Sequence, residues 1–112
     1  MTPALNSEEE VIKAGGTTLY PERLELAVGE RTVRITKQQA EIMRVMLARS
    51  GRIATRAMLL EAINGVDNDR QRRNIDVQLG RLRRRLGGTA ARSLECIRQA
   101  GYRWNPEVKS CQ

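Results

Sequence analysis

Histidine and phenylalanine are absent from the 112 residues, and only one tryptophan, two tyrosines and two cysteines occur. Without histidine, the chain lacks the commonest general acid–base residue and a His-containing zinc site, and no acid pair or Cys/Ser arrangement replaces them. Two cysteines do not make a disulfide framework, and Cys96 is expected to be a small buried hydrophobe. The sequence therefore predicts no enzyme, no metal site and no cofactor.

Long hydrophobic runs are also missing. No stretch approaches the roughly 18 apolar residues of a membrane span, and the N-terminal MTPALNSEEE is too acidic and polar for a signal peptide. With 40% hydrophobic and 29% charged residues, the composition is typical of one globular domain. We therefore expect a cytoplasmic protein with no membrane partner.

Positive charge is concentrated in one segment. The formal net charge is +7, and the stretch from Arg70 to Arg85 contains seven arginines and one acid, Asp76. Arginine outnumbers lysine 17 to 3 in the chain, and guanidinium groups form bidentate hydrogen bonds with phosphates and guanine edges. Like charges three or four residues apart destabilise a helix, which an anionic partner would offset. Nucleic acid is the natural partner, and a merely solvated helix face is the alternative.

Residues 67–86 predict a helix with two opposite faces. At about 100° per residue, four apolar residues form one buried stripe: Ile75, Leu79, Leu82 and Leu86. The opposite face carries Arg70, Arg73, Val77, Gly80, Arg81 and Arg84. Glycine at position 80 costs about 1 kcal/mol of helix stability, and either close approach to DNA or a relaxed constraint explains it.

Two further helices precede this one. Thr36 and Gln39 have the form of a capping box, which predicts a helix from there to about Arg49. Thr55 begins a second helix, which ends near Gly65, and the segment between the two is a candidate short strand. A polar loop at residues 66–71 then leads into the third helix.

Short alternating stretches flank the helices. Those from Thr17, with a turn at Gly29, predict a small antiparallel sheet, and the last ones predict a hairpin around residues 99–101 with Arg98 and Arg103 at its tip. Residues 87–93 are expected to be a helix stop and a plain connection. Residues 1–16 are predicted to be a flexible arm and residues 106–112 a tail.

Over about residues 17–104, the chain resembles the OmpR/PhoB-type winged-helix DNA-binding domain of bacterial response regulators. Four motifs stand in the family's order: IT-x-x-x-x-E from Ile35, GR-x-x-(S/T)R-x-x-LL from Gly51, R-x-(V/I)DV-x-(I/L)-x-RLR-x-x-L from Arg73, and R-x-x-GYR from Arg98. The resemblance implies an α+β, winged helix-turn-helix domain over residues 17–105. It would consist of a small N-terminal antiparallel sheet, three helices and a C-terminal β-hairpin wing, with Tyr102 and Trp104 packing the wing against the body.

The function implied by the resemblance is that of a transcriptional regulator that binds double-stranded DNA sequence-specifically. The recognition helix, about residues 71–86, would lie in the major groove and the wing, residues 96–104, at the minor groove. The residues expected at the DNA are Arg70, Arg73, Asn74, Val77, Arg81 and Arg84 on the helix, Arg98 on the wing, and Thr36, Thr55 and Arg56 at the starts of the first two helices. For the last three, phosphate clamping and simple capping are both open. Val77 would suit a thymine methyl group.

Departures from the family's pattern qualify this expectation. Gln99 replaces the usual wing glycine, which affects the turn geometry, and Asn64 replaces an aromatic residue beside the loop 66–71, through which family members contact RNA polymerase. Family members carry an N-terminal receiver domain, so the chain is either an effector domain or a stand-alone regulator. RNA polymerase and a dimer on tandem half-sites are further partners that the resemblance allows.

Two rival functions stay open. One is a non-specific nucleoid-associated DNA binder, because a strongly cationic face binds any polyanion. The other is an adaptor that binds RNA polymerase or another regulator. DNA binding, whether site-specific or non-specific, would place the protein at the nucleoid.

Overall fold

Six strands and four helices make up the part of the chain described by the computed structural model, residues 9–49 and 51–105. In order they are β1 (Ile12–Ala14), β2 (Thr17–Tyr20), β3 (Glu25–Val28), β4 (Arg31–Arg34), α1 (Lys37–Ala48), α2 (Arg56–Ala62), α3 (Asp69–Leu86), α4 (Gly88–Arg92), β5 (Leu94–Ile97) and β6 (Gly101–Trp104). The α+β arrangement of sheet, helices and final hairpin is therefore confirmed.

The N-terminal sheet is antiparallel, in the order β1-β2-β3-β4. Leu19 lies opposite Leu26, and both are fully buried against the helices. The structure differs from the expected arm of residues 1–16, because Ile12 pairs with Leu19 and makes β1 part of the sheet. The two glycines after Ala14 form the hairpin turn rather than a linker. Residues 1–8 of the predicted arm and the predicted tail, 106–112, lie outside the described residues.

Side-chain caps set the starts of α1 and α2. The Thr36 hydroxyl accepts a hydrogen bond from the Gln39 amide (3.1 Å), and the Gln39 side chain accepts one from the Thr36 amide (2.9 Å), so the predicted capping box is confirmed. The Thr55 hydroxyl accepts a hydrogen bond from the Met58 amide in the same way (3.1 Å). Gly65 donates its amide proton to the Leu60 carbonyl (2.8 Å) just beyond α2.

The longest helix, α3, begins earlier than the predicted loop allows. The Asn68 side chain accepts a hydrogen bond from the Gln71 amide (2.8 Å), so residues 69–71 form the first turn of the helix. The predicted loop 66–71 is thus wrong in its second half. The predicted apolar stripe is confirmed, since its four members are each at most 1% exposed.

At its C-terminal end, α3 leads directly into another helix. Gly87 has a φ of 63°, a left-handed conformation that stops α3 and lets α4 start at the next residue. Residues 88–92 are therefore helical, and the expectation of a plain connection is wrong. Turn-by-turn hydrophobic periodicity gave no signal here because the segment is only five residues long.

The final hairpin is held against the body at two residues of β6, Tyr102 and Trp104. Tyr102 exchanges two backbone hydrogen bonds with Ala54 (2.7 and 2.9 Å), which confirms the short strand between α1 and α2 as an isolated bridge. Trp104 is fully buried, and its indole N–H donates to the Thr17 hydroxyl (2.9 Å). The predicted packing of Tyr102 and Trp104 is thus confirmed.

Two expectations for the hairpin are wrong. Cys96 is exposed rather than buried, because β5 is covered at Leu94 beside the body and less covered towards the tip. Arg103, expected at the tip, instead pairs across the hairpin with Glu95 (2.7 Å).

Gln99 occupies the tip in a left-handed conformation, with a φ of 62°. An L-residue pays about 1–2 kcal/mol for this conformation and glycine does not, although glycine loses more backbone entropy on folding. We expect Gln99→Gly to raise the free energy of unfolding by about 0.5–1 kcal/mol, measured by urea denaturation.

The matched control is Ala100→Gly, at the neighbouring position without a positive φ. There the entropy loss acts alone, so this variant should be less stable than the parent. Equal effects of the two substitutions would show that strain at Gln99 is not what the first one relieves.

Candidate nucleic-acid interface

The seven arginines of α3 fall into two groups. Arg72 is paired with Asp67 by two hydrogen bonds (2.6 and 3.1 Å), and Arg83 donates to the Leu94 carbonyl (2.6 Å) at the base of the wing. Both side chains thus serve the domain's own structure. The hydrogen bond from Arg72 lowers the pKa of the Asp67 carboxyl.

The side chains of the other five arginines are exposed and form no ion pair or hydrogen bond with any residue that the structure describes. They are Arg70, Arg73, Arg81, Arg84 and Arg85, and we call them the arginine face. Val77, on the same side of α3, is 46% exposed, and Gly80 has no neighbour within 4 Å of the position where a Cβ would stand. The structure therefore brings together the predicted helix residues, except that Asn74 is half-buried at the edge.

A concave surface joins the arginine face to the start of α1. It is lined by Thr36, Lys37, Gln38, Gln39, Gln78, Arg81 and Arg85. The Gln39 side chain donates to the Gln78 carbonyl (3.1 Å), which holds the N-terminus of α1 against α3. The positive end of the α1 dipole and two guanidinium groups thus surround one space, an arrangement suited to an anion.

Arg85 and Lys37 are the charged residues of this surface that the sequence prediction missed, and its three glutamines were not predicted either. Arg85 lies between the two faces of the helical wheel, so periodicity alone assigns it to neither. Its spacing of four residues from Arg81 was the available signal, since such residues are neighbours on a helix.

Arg56 is engaged inside the domain. Its guanidinium pairs with the Asp76 carboxylate (2.9 Å), which also accepts a hydrogen bond from the Tyr102 hydroxyl (2.6 Å). The guanidinium lies 5.1 Å from the centre of the Tyr102 ring. These three side chains connect α2, α3 and the wing.

The triad of Arg56, Asp76 and Tyr102 has a measurable pH signature. Burial and the hydrogen bond donated to Asp76 raise the pKa of the Tyr102 hydroxyl above its ordinary value of 10.0. Since the folded-state pKa is the higher one, the stabilisation is complete below about pH 10 and is lost as the pH rises towards the folded-state pKa.

We expect Tyr102→Phe to lower the free energy of unfolding by about 1–2 kcal/mol near pH 8, because it removes one hydrogen bond to a charged group. The difference from the parent should shrink between about pH 10 and 11, measured by urea denaturation of both proteins. Ionisations common to both cancel in this comparison. A difference that stays constant up to about pH 11 would contradict the role of the hydroxyl.

Arg98 lies in the turn of the wing and is exposed. Its side chain forms no ion pair or hydrogen bond with the described residues, 9–49 and 51–105. The wing that carries it is fixed to α3 by Arg83 and by the triad. The hydroxyls of Thr36 and Thr55 both accept helix-capping hydrogen bonds, so simple capping holds for each.

Comparison with known sequences decides the family. Residues 29–104 match the family described as "Transcriptional regulatory protein, C terminal". The chain belongs to this family. Its matched segment runs from the turn before β4 to the end of the wing and so includes the whole arginine face.

Similar proteins are response regulators. The chain is 33% identical over 98 residues to the heme response regulator HssR of Staphylococcus haemolyticus, and 33% identical over 100 residues to HssR of Staphylococcus aureus. These matches cover 87% and 88% of this chain but 44% of each relative, so the chain spans less than half the length of the curated relatives.

Solved structures show the same fold. The RstA DNA-binding domain of Klebsiella pneumoniae, in complex with the RstA box, is 26% identical with a TM-score of 0.71, covering 88% of this chain and 99% of that one. The DNA-binding domain of CpxR from E. coli is similar in fold, with 19% identity, a TM-score of 0.70 and coverage of 86% and 96%. The OmpR/PhoB-type winged-helix domain expected from the sequence is confirmed, and this is a DNA-binding domain of the kind found in transcription regulators.

Within the ranges that the structure describes, no helix is both long and apolar enough to cross a membrane. The same residues contain no group of three or more His, Cys, Asp or Glu side chains that could hold a metal ion.

Proposed function

We propose that this domain binds double-stranded DNA site-specifically at the nucleoid, with α3 in the major groove and the wing at the adjacent minor groove. The observation that carries the proposal is the arginine face, five guanidinium groups on the exposed surface of α3 that form no ion pair with the described residues. An α-helix with its side chains is about 10–12 Å wide and fits the major groove of B-DNA, which is about 12 Å wide.

The positions along α3 suggest which residues contact bases and which contact phosphates. Arg73, Val77 and Arg81 lie near the middle of the exposed face and are proposed to contact base edges, with Asn74 beside them. Arg bidentate to guanine and Asn bidentate to adenine are the usual pairings for these side chains. Arg70 and Arg84, nearer the two ends, are proposed to contact the flanking phosphates.

A phosphate of the DNA backbone is the proposed occupant of the concave surface at the start of α1. Arg81 and Arg85 line it, and the α1 N-terminus presents backbone amides beside the Thr36 cap. Thr55, at the start of α2, is proposed as a second phosphate contact. Arg56 is already paired with Asp76. We propose that it mainly holds the recognition helix in position and makes at most a secondary contact with phosphate.

The wing supplies a second contact in this proposal. Arg98 is exposed at its tip, and a narrow minor groove attracts arginine through its enhanced negative potential. Because Arg83 and Tyr102 tie the wing to α3, the two contacts would keep a fixed distance on the DNA.

Selection of binding sequences from random duplex DNA at about 150 mM salt tests the proposal, because non-specific phosphate contacts weaken near that ionic strength. Enrichment of a motif supports it. Two direct half-sites about one helical turn apart would also indicate a dimer on tandem sites. Binding without enrichment would instead establish the non-specific nucleoid type of function, and a complete lack of binding would contradict both.

Replacing Arg84 by alanine tests the phosphate assignment. We expect weaker binding to the selected motif and to random DNA by the same factor, and a salt slope smaller by about 0.9, the value for one phosphate contact. The measurement is a titration of both DNAs at several salt concentrations. A loss confined to the selected motif would move Arg84 to the base-reading residues.

A protein contact at the loop before α3 is a second candidate function. Val66 is 68% exposed there, and a protein partner such as RNA polymerase would bury this apolar side chain. Val66→Ser should weaken capture of polymerase on promoter DNA while leaving DNA affinity unchanged. Equal capture by both proteins would count against this contact.

A further inference from the structure

The arginine face contains one place without a side chain. Gly80 lies in the middle of α3, three residues after Val77 and four before Arg84, and a Cβ built on it meets no atom within 4 Å. Glycine destabilises the interior of a helix relative to alanine, and no packing contact among the described residues requires it here. A bound molecule that approaches this part of α3 closely would account for the glycine.

Next to this gap lies an apolar side chain. Val77 is the exposed large hydrophobic residue of α3, at 46%. Helical side chains lean towards the N-terminus and cover the preceding turn, so a side chain at position 80 would cover the turn that carries Val77. Without a side chain at position 80, this side of the exposed Val77 stays uncovered, and we call the open space beside Val77 and Gly80 the depression.

The charged groups around the depression are mainly hydrogen-bond donors, because the Asp76 carboxylate, four residues before Gly80, is already paired with Arg56 and Tyr102. Arg73, Arg81 and Arg84 form its cationic rim along the exposed side of α3, and guanidinium groups only donate. In the major groove, thymine presents a C5-methyl group beside the O4 acceptor, whereas cytosine presents the N4 donor. A thymine thus matches an apolar depression with a donor rim, and a cytosine does not.

We infer that Val77 and Gly80 form a site for the C5-methyl group of one thymine in the bound DNA. The inference rests on the proposed function, and it makes Gly80 a specificity-determining position. The valine contacts the methyl group, the missing side chain gives it room, and a neighbouring arginine donates to the thymine O4.

The test uses the duplex motif selected at about 150 mM salt, with each thymine replaced singly by deoxyuridine, which removes only the methyl group. The parent protein should lose about fourfold in affinity at one position, the value expected for burying one methyl group. Val77→Ala and Gly80→Ala should each bring this ratio close to one. Val11→Ala, another exposed valine but one beside the N-terminal sheet, should keep the fourfold ratio.

The variant Gly80→Ala distinguishes a role of Gly80 in DNA binding from a role in the stability of the domain. The substitution fills open space and favours the helix, so the thermal midpoint should rise while affinity for the motif falls. If both stability and affinity rise and the thymine-to-deoxyuridine ratio is unchanged, the inference is wrong.

A final arm distinguishes the two natural sources of a C5-methyl group. At the sensitive position, 5-methylcytosine should bind no better than cytosine, because its N4 donor meets the arginine rim. Binding equal to thymine would overturn the thymine assignment. An enriched motif with no methyl-sensitive position would overturn the inference alone, and a selection without any motif would overturn it together with the proposed function.

Discussion

Replacing Gly101 by alanine is expected to lower the free energy of unfolding by about 3 kcal/mol or more, out of about 5–15 kcal/mol for a typical domain. Gly101 has a φ of 144°, and a Cβ built on it would lie 2.2 Å from the Ala54 carbonyl oxygen and 2.8 Å from the Thr55 Cα. Backbone atoms cannot move aside as a flexible side chain does. The clash would separate the wing from the bridge between Ala54 and Tyr102.

Two other glycines provide the controls, and urea denaturation measures all three variants. Gly29→Ala shares the positive φ, 62°, but meets nothing within 4 Å, so it should cost only about 1–2 kcal/mol. Gly16→Ala meets nothing and has no positive φ, so its effect should be small. Equal losses at Gly101 and Gly29 would show that backbone strain, and not the contact with Ala54, dominates.

The largest expected effect on DNA binding is that of Arg73→Ala. If Arg73 contacts a base edge, its removal should cost about 1–3 kcal/mol on the selected motif and relax the preference at one base pair. The measurement compares affinities for the motif, its single-base variants and random DNA. Equal losses on motif and random DNA would move Arg73 to the phosphate contacts.

Arg72→Ala is the matched control. The two arginines are adjacent in the chain and carry the same formal charge, but Arg72 is paired with Asp67 and Arg73 is unpaired among the described residues. Removing Arg72 should therefore change DNA affinity little, because its charge is already neutralised by Asp67 and an exposed ion pair contributes little to stability. A loss as large as that of Arg73→Ala would show that net charge alone drives binding.

The sequence was sufficient where the physics is local. The buried stripe of α3 follows from the helical period, and the capping box of α1 joins residues only three positions apart. The resemblance in four motifs then supplied the fold class and the order of sheet, helices and wing. These features require no knowledge of which elements pack together.

Local patterns misled where the signal was short or the covering element remote. β1 has three residues and α4 has five, too few for a periodic pattern to stand out. Cys96, in a predicted strand, was expected to be a small buried hydrophobe, but coverage of β5 decreases beyond Leu94. The start of α3 depended on the Asn68 cap. This cap was not predicted because the residues around Asn68 are polar and the segment was assigned to a loop.

The sequence by itself determined that a cationic helix with one buried side belongs to a winged-helix domain, because helix periodicity, caps and motif order are written in short segments. Only the tertiary structure decided which of its arginines remain available to DNA. Arg56 and Asp76 are 20 residues apart, Arg83 and the Leu94 carbonyl 11 apart, and Trp104 and Thr17 87 apart. Such pairs form only when separate elements pack at a defined angle, and no local pattern in the chain specifies that angle.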